Sequence, residues 1–100
     1  MDTNINIDEE MSKIDPEWKL SADRKKISRE FHLPDFLPAL DFVRAVGEDA
    51  EKRDHHPDIH IYVKRVVLEL TTFDAGEVLT DMDFQSAKAI DEIYDQEYGK

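Results

Sequence analysis

Glu51-Lys52-Arg53-Asp54-His55-His56-Pro57 is the stretch from which the rest of the chain can be read. It sets two of the four histidines side by side, with Asp54 directly before them and Glu51 four residues before His55. An imidazole has an ordinary pKa of about 6.5, so it can give or take a proton near neutral pH. Two adjacent ones can serve as acid and base for one substrate. Pro57 fixes its own φ and keeps His56 out of the helical region. The stretch therefore predicts the end of a helix, with imidazoles on a rigid corner.

Upstream, apolar Phe36, Ala39, Leu40, Val43, Val46, Gly47 and Ala50 recur at helical spacing. Asp35 is a good N-cap, and Pro38 falls in the first turn, where a missing N–H costs little. This predicts an amphipathic helix over Phe36–Arg53. Before it, Ile27, Phe31 and Leu33 alternate with Ser28, Glu30 and His32, and Trp18 and Leu20 flank Lys19. Those patterns predict two paired strands. Asp8–Ile14 reads as a short helix ended by Pro16, within a loosely held segment 1–15.

Downstream, Ile59, Ile61 and Val63 alternate with His60 and Tyr62, and Val66, Leu68 and Leu70 alternate with Val67 and Glu69. A hairpin with its turn at Lys64–Arg65 follows. Thr71–Leu79 reads as a loop. Thr80 and Asp83 have capping-box spacing, and Phe84, Ala87, Ile90 and Ile93 form the stripe of a last helix. The expected architecture is one α+β domain over 1–100, a four-stranded antiparallel sheet with helices packed on one face.

Composition narrows the function. The 100 residues are 40% hydrophobic and 37% charged, as a folded globular domain requires. The net charge of −11 disfavours nucleic acid and anionic membranes as partners. No cysteine is present, which excludes disulfides, thiolate nucleophiles and cysteine-bound zinc. No apolar run is long enough to span a bilayer and no signal sequence is evident, so a cytoplasmic location is expected. Asp54, His55, His56, Asp58 and His60 are close in sequence, but neighbours on an extended chain point to opposite faces, so no metal site is expected. The residues alone leave plainer roles open. His55 and His56 can be exposed histidines at a helix end, Asp83 can be a cap, Phe73 can be core, and His32 and His60 can lie on a polar sheet face.

From about Trp18 to Tyr94 the chain resembles the pterin-4a-carbinolamine dehydratases (4a-hydroxytetrahydrobiopterin dehydratases). Glu51, His55, His56 and Pro57 fit the family's acidic residue, three spacers and His-His-Pro. Asp35-Phe36, Ala39, Phe42, Val46 and Ala50 match its long helix. Val66, Leu68, Leu70 and Thr72 match its last strand. Asp74-Ala75-Gly76, Leu79-Thr80, Asp83, Ala87 and Ile90-Asp91 match its loop and closing helix. Phe73 stands where the family usually has a third histidine. Val63 stands where it has an aromatic residue, and the loop before Leu79 is one residue longer.

The resemblance implies a hydro-lyase that dehydrates 4a-hydroxytetrahydropterin to quinonoid dihydropterin in tetrahydropterin recycling, without metal or cofactor. It implies catalytic His55 and His56 assisted by Glu51 and Asp54, with Pro57, Thr72, Phe73 and Asp74 around the pterin. It also implies a homodimer or homotetramer and a functional link to an aromatic amino acid hydroxylase. The alternative is a family member weakened by Phe73 that acts as a dimerisation, scaffold or assembly factor.

Overall fold

A computed structural model describes residues 5–98. The part of the expected loose start that falls on residues 1–4 lies outside the described residues. The order is α1 (Ile7–Met11), β1 (Lys19–Leu20), β2 (Ile27–His32), α2 (Phe36–Arg53), β3 (Asp58–Tyr62), β4 (Arg65–Leu70), a 3-10 turn (Phe73–Ala75) and α3 (Asp81–Glu97). The strands form one antiparallel sheet in the order β1-β2-β4-β3. The α+β architecture expected from the sequence is the one observed.

Register explains the two faces. Ile27, Arg29 and Phe31 of β2 pair with Leu70, Leu68 and Val66 of β4. All six are buried under α2 and α3. Ser28, Glu30 and His32 point the other way, opposite Glu69, Val67 and Arg65. That second face is open and carries polar side-chain pairs, His32 with Glu30 at 2.8 Å and His60 with Glu69 at 3.2 Å. Beneath the helices an aromatic cluster fills the core, with Phe31 4.9 Å from Phe42 and 5.0 Å from Tyr94, centroid to centroid.

Arg29 is a buried charge on the inner face, and the structure surrounds it. It donates to Asp91 at 2.7 Å, lies 3.5 Å from Asp15, and sits over the rings of Phe31 and Tyr94. Trp18 Nε1 donates to the same Asp91 at 2.8 Å. Burial pushes the Asp91 carboxyl above the usual carboxylate range, against the opposing pull of Trp18 and Arg29. The cluster fastens the segment before β1 to α3.

Local details depart from the sequence reading. The buried stripe of α2 is Ala39, Phe42, Val46 and Ala50, whereas Phe36 and Leu40 are substantially exposed. Both choices of stripe satisfy helical periodicity; Phe42 wins because it meets Phe31. The β3–β4 turn is Val63-Lys64, one residue before the expected Lys64–Arg65, since Tyr62 pairs with Arg65. Val63 takes a left-handed φ of 57°, which no propensity would suggest for a β-branched residue. α1 stops at Met11, short of the expected Ile14, and Ile14 turns into the core. Among the described residues no helix is long and apolar enough to cross a membrane.

Candidate active site

The end of α2 sets the site. Asp54 adopts the left-handed conformation (φ 52°) and its N–H returns to Glu51 O at 3.3 Å. His55 N then donates to Ala50 O at 3.2 Å. Asp is among the few non-glycine residues that accept this conformation. The helix therefore ends at Arg53 through Asp54, three residues before Pro57 could end it. The reversal turns His55 inward, where only 8% of it remains exposed. The reading of His55 as an exposed helix-end histidine does not hold.

Inside, His55 Nε2 lies 2.6 Å from Asp83 Oδ1. Asp83 is 0% exposed, and its other oxygen accepts from Thr72 Oγ1 at 2.8 Å and from the Thr80 N–H at 2.9 Å. Thr72 and Thr80 hydroxyls are 2.8 Å apart, and Met82 N donates to Thr80 Oγ1 at 3.3 Å. The donors can be ordered without conflict. Thr72 gives its hydrogen to Asp83, so Thr80 gives its own to Thr72 and accepts from Met82. Asp83 thus completes the capping box of α3, as its spacing suggested, and also holds an imidazole. With the carboxylate accepting, Nε2 carries the hydrogen, and Nδ1 is left as the ring nitrogen with a free lone pair in neutral His55.

His56 projects differently. Its Nε2 is hydrogen-bonded to Glu51, one turn back on α2, and half of the ring stays exposed. Both histidines line a cavity of about 240 Å³ together with Asp54, Thr71, Thr72, Phe73, Asp74 and Met82. Phe73 is 56% exposed on the rim, carried by the 3-10 turn, so it is not core. Gly76 ends that turn at φ 93°, a conformation only glycine takes freely, and Thr72 pairs with Val78 across it.

The predicted site residues are thus largely gathered. His55, His56, Asp54, Thr72, Phe73 and Asp74 line one cavity. Glu51 stands behind His56, and Pro57 shapes the chain without lining the cavity. Thr71 and Met82 were not anticipated, and Asp83 was anticipated only as a cap. Asp83 has its capping-box spacing and its place in the family resemblance as signals in the sequence, and nothing local marks its second oxygen for His55. Among the described residues no three imidazoles or carboxylates converge as a metal site would require.

Comparison with known proteins bears on the family and the fold. Residues 3–93 match the sequence model of a family described as Pterin 4 alpha carbinolamine dehydratase. A protein of Saccharolobus islandicus named "Putative pterin-4-alpha-carbinolamine dehydratase" is 47% identical over 77 residues, 77% of each chain. A protein of the same name from Picosynechococcus sp. is 43% identical over 91 residues, covering 91% of this chain and 95% of the relative. Among solved structures, a transcriptional coactivator/pterin dehydratase from Brucella melitensis superposes with a TM-score of 0.83 at 30% identity, covering 91% of this chain and 95% of that one. A pterin dehydratase-like protein described as a RuBisCO assembly factor of the alpha-carboxysome shares the fold, with a TM-score of 0.65 at 17% identity over 77% of this chain and 88% of that one.

The Asp83 contact makes a spectroscopic prediction. Ring ¹⁵N shifts of neutral His55 will place its proton on Nε2. In Asp83→Asn the amide NH₂ faces that nitrogen while its oxygen keeps Thr72 and Thr80, and the proton will move to Nδ1. An unchanged tautomer in the variant would show that Asp83 does not set it.

Proposed function

The chain belongs to the pterin-4a-carbinolamine dehydratase family, and on that premise we propose that it dehydrates a 4a-hydroxytetrahydropterin to the quinonoid dihydropterin. The observation that carries this reading is the pairing of two imidazoles on one cavity, one anchored by a buried carboxylate and one exposed beside Glu51. The reaction removes the N5 proton. The N5–H electron pair becomes the C4a=N5 bond, the C4a–O bond breaks, and a proton delivered to the departing oxygen completes a water molecule. One imidazole takes the first proton and the other supplies the second, each transfer contributing about 10²–10⁴-fold. Asp83 limits His55 to Nδ1 for this work, and Glu51 orients His56. Phe73 offers its ring to the flat bicycle, and Thr72 and Asp74 edge it. The substrate would come from an aromatic hydroxylation that leaves oxygen on C4a, which places the enzyme in recycling of a tetrahydropterin cofactor.

A second reading is a binding or assembly protein. The observation that favours it is Phe73, an exposed ring without a titratable group where the resemblance leads one to expect histidine.

We further propose that the chain works as a homodimer or a larger homo-oligomer. β3 is an exposed edge strand, and Ile59 and Ile61 lie on its helix side only partly covered. An open edge with apolar side chains is stabilised by pairing.

Two experiments test these proposals. With enzymatically generated 4a-hydroxytetrahydropterin followed by ultraviolet absorbance, the protein will accelerate dehydration. His55→Ala and His56→Ala will each lower kcat by about 10²-fold or more, and Phe73→His will raise it. Absence of acceleration by wild type and all three variants would contradict the enzyme and favour the binding protein. Sedimentation at micromolar concentration will show a dimer or tetramer; monomer alone would contradict the oligomer.

A further inference from the structure

Met82 and His55 line two cavities, the histidine cavity and a second one of about 270 Å³ beside the first turn of α3. Phe73 and Met82 are the two apolar side chains on the histidine cavity. Met82 is partly exposed, so a small solute in either cavity reaches it. Ser86 lies four residues on, one turn along the same face of α3, and lines the second cavity with Met82. Ser86 is buried, and its hydroxyl has no hydrogen-bond partner among the described residues. A buried hydroxyl left unpaired is unfavourable, so this one lacks an acceptor. The thioether beside it is a weak acceptor, whereas a sulfoxide is polar and offers an oxygen.

We propose that Met82 is a site of reversible oxidation by hydrogen peroxide, and that the Ser86 hydroxyl donates to the sulfoxide oxygen formed there. The sulfur lone pair attacks one peroxide oxygen, so the S–O bond forms as the O–O bond breaks. The departing hydroxide takes the proton left on the transferred oxygen. One sulfoxide and one water result, with sulfur oxidised by two electrons and the peroxide reduced by two. A methionine sulfoxide reductase reverses the change, two thiols becoming a disulfide as the oxygen leaves in water.

The change would be felt at the histidines. A sulfoxide at Met82 leaves Phe73 as the one apolar side chain on their cavity, which weakens packing against a flat ring. The loss of dehydration that follows rests on the dehydratase reading; the oxidation itself does not. Met11 is the internal reference. It is also partly buried, but it packs against the core and lines neither cavity.

Treatment with dilute hydrogen peroxide, followed by peptide mass spectrometry, tests the proposal. Met82 will gain oxygen about threefold to tenfold faster than Met11, the margin that one hydrogen bond to the developing oxygen supplies. Ser86→Ala will slow oxidation at Met82 by a similar factor and leave Met11 unchanged, which also shows that the variant is folded. A methionine sulfoxide reductase will restore the original mass. Equal rates at the two methionines, a Met82 rate indifferent to Ser86→Ala, or a sulfoxide that the reductase does not remove would overturn the proposal. Dehydration by the oxidised protein will fall about threefold to tenfold and return after reduction. Met82→Leu will keep through the treatment whatever rate it has before it. Undiminished dehydration by protein that carries the sulfoxide would overturn the effect on the histidine cavity. If untreated protein does not accelerate dehydration, the dehydratase reading fails, and the mass measurements still decide the oxidation.

Discussion

Asp83 is a carboxylate with no exposed surface, and a buried carboxylate is tolerable only if its oxygens are fully hydrogen-bonded. Its partners come from three separate segments. His55 follows α2, Thr72 follows β4, and the Thr80 N–H opens α3. Each segment must arrive in place for the others to be stable. The contact that caps a helix is thus the same contact that positions an imidazole at the cavity. Removing one partner would leave a buried polar group unpaired, at a cost of about 1–3 kcal/mol.

A second buried charge lies on the inner face of β2. Arg29, Asp91, Asp15 and Trp18 join the chain before β1 to β2 and α3. The sheet's inner face therefore carries one polar cluster that secures the N-terminal segment and one that builds the site. Beside Arg29 lie the aromatic rings of Phe31 and Tyr94, and Phe42 packs against both. The division suits a small domain, because a rigid core lets loops carry the chemistry without losing their aim.

Much of this architecture is legible in the amino-acid sequence. Helix α2 runs over Phe36–Arg53 as its cap and periodicity indicate. Strands follow from period-two alternation, and the His-His-Pro corner leads to the cavity. What escapes the sequence is what only tertiary packing decides. Phe42 and Leu40 both fit a helical stripe, and contact with Phe31 chooses between them. The turn at Val63-Lys64 follows from strand register, which overrides the residue's own preference. Asp54 reads as a carboxylate for catalysis, and its left-handed backbone also makes it the helix stop. Asp83 reads as a cap, since capping is a local pattern and a hydrogen bond to a residue 28 positions away is not. Phe73 can be read as core or platform, and only its place on the exposed 3-10 turn decides for the rim.

Asp83 joins the fold to the site through His55, and a double-mutant cycle on unfolding free energy tests that link most directly. His55→Ala, Asp83→Ala and the double variant would be measured in urea beside wild type. The predicted coupling energy is about 1.5–3 kcal/mol, the range for a hydrogen bond to a charged group. Additivity within about 0.5 kcal/mol would contradict the link, because the two residues would then contribute independently.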